Sequence, residues 1–145
     1  MKITHLDPTP LLEVPSINVA PGGRSTEQRR IPLLHGRVTG LPPQIQALLI
    51  ASDLQGFEPN ALEKPEEERQ LLGHVMVNAI RPLLGQNDLP TSDQIATLLC
   101  GDFYAIPALN KRGGLGDVQA VWRDFRRISQ QVIGVAGNHD LFGGT

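Results

Sequence analysis

Three short stretches of the chain, residues 45–51, 95–100 and 132–136, are almost wholly apolar, and each stops abruptly at polar or glycine residues. The stops are Ser52-Asp53, Gly101-Asp102 and Gly137-Asn138-His139-Asp140. Apolar runs of this length, without alternation, predict strands buried in a parallel sheet. Between the first two runs, Leu71, Leu72, Val75, Met76, Ala79, Ile80, Leu83 and Leu84 recur at helical spacing. Pro65 followed by Glu66, Glu67 and Glu68 predicts that this helix opens there, with proline near N1 and acids at the positive end of the helix dipole. Gly85 is its expected stop, and Pro82 is placed to end or kink it a turn earlier. Between the second and third runs, Val118, Val121, Trp122, Phe125 and Ile128 form one stripe of a second amphipathic helix with Asp117 as N-cap. Arg123, Arg126 and Arg127 fall largely off that stripe and read as a solvated face.

Residues 1–43 follow a different rule. Prolines at 8, 10, 15, 21, 32, 42 and 43 recur too closely for a long helix, and Pro21-Gly22-Gly23 marks a turn. The segment reads as an irregular lead-in, with an edge strand at residues 31–38. Residues 44–145 read as one α/β domain of parallel central strands flanked by two helices.

Composition narrows the function classes. A chain of 145 residues that is 40% hydrophobic has the length and apolar content of one domain and one core. Thirteen basic against fifteen acidic residues leave a net charge of −2, which provides no broad basic field for a nucleic-acid backbone. The single cysteine, Cys100, lies in an apolar run, where the expectation is a small buried hydrophobe in a reducing compartment. No stretch approaches the roughly 20 apolar residues that span a bilayer. A cytoplasmic protein with no membrane partner is therefore expected.

The chemistry is concentrated at the strand ends. Asp53, Asp102 and the Asn138-His139 pair each follow an apolar run, and ligands in open α/β sheets collect outside the carboxyl ends of the strands. An aspartate after a strand is often only a cap or an Asx turn, but three such corners in register favour a shared site. Oxygen-rich donors with one or two nitrogens suit divalent manganese, iron or zinc, and less exclusively magnesium.

Ser52-Asp53-Leu54-Gln55-Gly56, Gly101-Asp102 and Gly137-Asn138-His139-Asp140 resemble, in order and spacing, the first three motifs of the calcineurin-like metallophosphoesterases, D-x-H, G-D and G-N-H-[DE]. The resemblance implies the N-terminal half of a four-layer α/β-sandwich and hydrolysis of a phosphomonoester or phosphodiester by metal-activated water. It implies Asp53 as a ligand of a first metal ion, Asp102 as the carboxylate bridging two ions and Asn138 as a ligand of the second. His139 would stand beside the substrate phosphate to stabilise the transition state or protonate the leaving oxygen, and Asp140 would fix its ring. Gln55 stands where the family has histidine, so a neutral carbonyl oxygen replaces an imidazole and affinity for softer metals should fall. The family's later histidines have no counterpart, since His139 is the last in the chain. His35 and His74 read as structural or solvated. The resemblance therefore leaves the domain without its C-terminal part, and the expectation is that an omitted C-terminal segment, a second copy or a second chain completes the site beside the phosphate-ester substrate.

Two competing readings follow from the same residues. Gln55 and the missing histidines would also suit a non-catalytic phosphoesterase-fold module acting as an interaction subunit. Residues 111–118, Lys-Arg-Gly-Gly-Leu-Gly-Asp-Val, are similar to the K-x-G-G-L-G-D loop of glycogen synthases, and glycines before a helix can cradle phosphate. That family carries the loop after its first strand; here it precedes the last helix, where a loop capped by Asp117 accounts for it.

Overall fold

The computed structural model describes residues 1–19, 26–102 and 118–137. The expected turn at Pro21-Gly22-Gly23, the loop at residues 111–117 and the cap Asp117 lie outside the described residues.

The amino-terminal segment is not irregular. β1 (Lys2–Val19) and β2 (Thr26–Thr39) form an antiparallel hairpin, and the edge strand expected at residues 31–38 lies inside β2. The prolines exclude a helix there but not a strand. In a two-stranded ribbon every strand is an edge, so a proline costs no hydrogen bond where its nitrogen faces away from the partner. Pro8 and Pro10 fall where the register shifts between Asp7 and Leu12, while Pro15 and Pro32 sit inside the paired register, opposite Arg30 and Glu13.

The three apolar runs form a parallel sheet as expected, β3 (Ala47–Ala51), β4 (Ile95–Leu99) and β5 (Gln131–Gly134), in the order β3-β4-β5. The chain is therefore mixed α/β with a parallel three-stranded sheet. The register aligns Leu49 with Thr97 and Val132, on the face covered by the helices, and Ile50 with Leu98 and Ile133, on the opposite face. Ile50 is 57% exposed and Ile133 51%.

α1 (Leu72–Ile80) and α2 (Val118–Arg127) pack on the covered face and meet each other where Gly73 faces Val121. Phe125, Leu72, Leu99, Ile128 and Val121 are the largest apolar side chains at the centre of the core. Two hydroxyls are buried there as well, Thr97 and Ser129, and they satisfy each other at 2.5 Å. His74 Nδ1 pairs with the Asp124 carboxylate across the two helices, and Arg127 stands 3.6 Å from the same carboxylate. His74 thus has a structural role, and His35 lies 3.4 Å from Asp7 in the hairpin.

Two local expectations are corrected. The helix does not open at Pro65: residues 66–68 make a single 3-10 turn, and α1 begins at Leu72. The delay has a cause in the intervening residues, which pair in extended form with the strand-like segment at Gly56, Phe57 and Glu58. Glu58 N–H donates to Gln70 O at 3.0 Å, and Leu72 N–H donates to Gly56 O at 3.0 Å. Cys100 is exposed, not buried. Its N–H donates to Ala51 O at 2.8 Å, which continues the β4 alternation by one residue and leaves its side chain on the side of Leu98, away from the helices.

The hairpin joins the domain through Val14 and Ile17, both members of the core. Ile17 and Phe57 exchange two backbone hydrogen bonds, at 3.0 and 2.9 Å, and Phe57 bridges onward to Leu71. Beside them Glu58 accepts from Lys64 Nζ at 2.7 Å and from the Gln70 N–H at 3.1 Å. Burial opposes the Glu58 charge, but the Lys64 hydrogen bond, the Gln70 amide and the Lys64 charge outweigh it and hold the carboxyl below the usual glutamate range.

Candidate metal centre

The carboxyl ends of the three strands are tied together by backbone hydrogen bonds. Cys100 N–H donates to Ala51 O at 2.8 Å, Asp53 N–H to Gly101 O at 3.1 Å and Val135 N–H to Leu99 O at 2.9 Å. Asp53 and Asp102 therefore occupy neighbouring corners of adjacent strands, as the sequence predicts.

Both corners have a special backbone. Asp53 has φ 54° and Asp102 φ 60°, in the left-handed region that non-glycine residues seldom adopt. Each such residue costs on the order of 1–3 kcal/mol unless its surroundings compensate, and aspartate tolerates it better than most. Asn87 and Asp88 also have positive φ, but in the turn that leads toward β4. Asp53 and Asp102 instead take this conformation two and three residues past the ends of β3 and β4.

The first corner is anchored on both sides of the aspartate. Ser52 Oγ donates to Asp53 Oδ2 at 2.5 Å. Leu54 is buried in the core, Gln55 is half-buried, and Gly56 has φ 120°. A side chain at Gly56 would also collide with β1, because a Cβ there would lie 2.6 Å from Ile17 O. The hairpin is thus a wall behind the segment carrying Asp53 and Gln55.

The second and third corners touch. A Cβ at Gly137 would fall on the Asp102 carboxylate, and one at Gly101 would fall on the Gly137 amide. Only glycine at these two positions lets the ends of β4 and β5 approach this closely. Gly137 is the residue before Asn138, so the third motif starts against the Asp102 side chain. Asn138, His139 and Asp140 themselves lie outside the described residues.

Among the described residues, no group of three His, Cys, Asp or Glu side chains is gathered to hold a metal ion. The described donors are two carboxylates, with the Gln55 amide two residues beyond Asp53. They are hard oxygen donors, the type that divalent cations such as manganese take, and the donor chemistry present is in that respect compatible with such an ion. Ser52 and Gly137 are the site residues that the sequence pattern did not single out for a role. Their signal was adjacency, a hydroxyl one residue before Asp53 and a glycine one residue before Asn138.

No family model matches the chain, and neither a curated protein nor a solved structure matches it. Among the described residues no helix is long and apolar enough to cross a membrane.

Proposed function

We propose that this chain is a divalent-metal-dependent phosphoesterase of the calcineurin-like type. The observation that carries the reading is the pair of left-handed aspartates on adjacent strand ends, joined by the Asp53 N–H to Gly101 O bond and backed by Gly137. Asn87 and Asp88 adopt the same backbone in an ordinary turn, so the support comes from the pairing of two such carboxylates on adjacent strand ends and not from the left-handed conformation by itself.

In this reading Asp53, Gln55, Asp102 and Asn138 hold manganese, iron or zinc. A bound pair of such ions would supply a hydroxide nucleophile at neutral pH and neutralise charge on the phosphoryl oxygens. The chain's own contribution is positional. Ser52 directs one Asp53 oxygen by occupying the other, and Gly137 gives the Asp102 carboxylate its place. By the resemblance, His139 would be the group to donate a proton or a hydrogen bond to the leaving oxygen of the phosphate ester, and Asp140 the group to orient its ring. Gln55 weakens the first position toward soft metals, which favours manganese over zinc.

Equilibrium dialysis against manganese, with an Asp102→Ala control, tests the reading beside hydrolysis of p-nitrophenyl phosphate and bis(p-nitrophenyl) phosphate. The expected result is manganese bound by the natural chain and lost in the variant, with metal-dependent hydrolysis of one of the two esters. Metal retained by Asp102→Ala would overturn the ligand assignment. Metal bound without hydrolysis of either ester would favour the interaction-subunit reading.

A further inference from the structure

Outside the strand-end corners, three side chains with metal-binding chemistry share one face of the hairpin. The register sets His5 opposite Arg37, Leu6 opposite Gly36 and Asp7 opposite His35. Residues two apart on a strand, and residues directly opposite across a pair, project to the same side. His5, Asp7 and His35 therefore stand on one face, with Arg37 beside His5. Gly36 lets the strands approach closely here, because a Cβ at that position would fall on His5 O.

Asp7 and His35 have the spacing of two ligands of one ion. His35 Nε2 stands 3.4 Å from Asp7 Oδ2, whereas a charge-assisted hydrogen bond closes to about 2.7–2.9 Å. Zinc holds imidazole nitrogen and carboxylate oxygen at about 2.0–2.2 Å in a tetrahedron, which sets neighbouring ligand atoms about 3.4 Å apart. The carboxylate is also preset. Thr9 N–H donates to Asp7 Oδ1 at 2.9 Å and leaves Oδ2 on the side of His35. That Thr9 amide, and after it the charges of His35 and His5, hold the Asp7 carboxyl below the usual aspartate range against the opposing effect of desolvation. An ionised carboxylate is the form that binds metal. The third donor is not yet gathered with the other two. His5 is exposed, so a change of its rotamer disturbs no core packing.

We propose that His5, Asp7 and His35 form a zinc site, with water as the fourth ligand, that clips β1 to β2 at the end of the hairpin. The ion cross-links the strands where their pairing has no support from the core, whose hairpin members are Val14 and Ile17. Arg37 shares the face and its charge weakens the site. The proposal does not depend on the phosphoesterase reading.

Zinc titration of the full chain, followed by NMR at backbone amides and histidine rings, tests this. The His5 and His35 rings and the amides of residues 5–7 and 35–37 should move together and saturate with a Kd below about 100 µM. His5→Ala and His35→Ala should each weaken binding at least about tenfold, and Arg37→Gln should tighten it about threefold. Magnesium, which takes oxygen ligands in an octahedron, should move none of these signals. Asp102→Ala should leave the zinc response unchanged, which separates this site from the strand-end carboxylates. Protected α1 amides in each variant show that it folds. Signals unmoved at ~1 mM zinc would overturn the proposal. So would a His5→Ala chain that binds as tightly as the natural one, because the third donor would then be absent. Equal movement at His74 would also overturn it, marking an adventitious ion only.

Discussion

β1 is 18 residues long and, among its described side chains, sends Val14, Ser16 and Ile17 fully into the interior, whereas β4, at 5 residues, buries Ile95, Ala96, Thr97 and Leu99. The hairpin is held along its length by backbone pairing and at one place by side chains. The parallel sheet is held by side chains throughout one face. Strand length and stabilisation are thus separate quantities in this molecule: a ribbon gains hydrogen bonds that it would otherwise make with water, while a short central strand gains apolar burial. The candidate site stands on the second kind of scaffold, with the first kind supporting it from behind at Ile17 and Gly56.

The largest expected effect lies where the two helices and the sheet share one residue. Phe125 is 1% exposed, belongs to the central cluster and also floors a groove toward β2. Phe125→Ala should cost about 3–5 kcal/mol, read as a drop in the urea midpoint, because the surrounding core cannot collapse onto the space. Exchange protection in the hairpin should fall with that in the sheet. A hairpin that kept its protection in this variant would show that it folds as an independent unit.

Gly73→Ala opposes two principles directly. Alanine gains up to about 1 kcal/mol over glycine inside a helix. At this position the new Cβ would strike a methyl of Val121, a stiff β-branched side chain buried at the α1–α2 contact. Overpacking of this kind costs about 1–3 kcal/mol, so the variant should be less stable despite its better helix propensity. A stabilised Gly73→Ala chain would mean that the helices can part without loss, and that the sheet side is looser than its burial indicates.

The sequence was most legible where burial is continuous. The three apolar runs predicted β3, β4 and β5 nearly residue for residue, and the apolar stripes placed α1 and α2, because side-chain burial writes its period directly into the sequence. Legibility failed where backbone pairing decides the structure. The prolines at 8, 10, 15 and 32 suggested irregularity, yet a ribbon edge accepts them; Pro65 suggested a helix start, yet residues 69–71 are drawn into pairing with residues 56–58. Cys100 misled for a related reason, since a residue type says little about which face it occupies one step past a strand end. Of the candidate site, Asp53 and Asp102 were readable as strand-end carboxylates, but their left-handed backbones and the contact between Gly137 and Asp102 arise only when two strand ends meet in space.

Glu58 gives a pH test of the joint between the two regions. Its carboxyl is held below the ordinary value of 4.5 by Lys64 and the Gln70 amide, against the opposing effect of burial. A lowered folded-state value means that the stabilisation is complete above about pH 4.5 and is lost as pH falls through the folded value. Acid titration of the natural chain should therefore loosen the segment at Phe57 and Glu58, and with it the Ile17 contact of the hairpin, before the sheet. Glu58→Gln should remove the part of the acid dependence that comes from this group. If the variant and the natural chain lose hairpin amide protection along the same pH curve, the joint owes nothing to the Glu58 charge.

The smallest effect belongs to the start of β1. Ile3 is 68% exposed and paired with Val38, at an end of the hairpin that sends no side chain into the core. Ile3→Thr keeps a β-branched residue on an edge strand and removes apolar surface that is already in water, so the backbone pairing survives and little burial is lost. The change in stability should stay within about 0.5 kcal/mol, an order of magnitude below Phe125→Ala although both positions are occupied by large apolar residues. A loss above 1 kcal/mol, flagged by a shifted urea midpoint with ~unchanged slope, would show that this end of the ribbon is covered in solution. Covering of that kind would also be visible as slow amide exchange at residues 2–7, and the hairpin would then resemble the sheet in being held by side chains rather than by backbone alone.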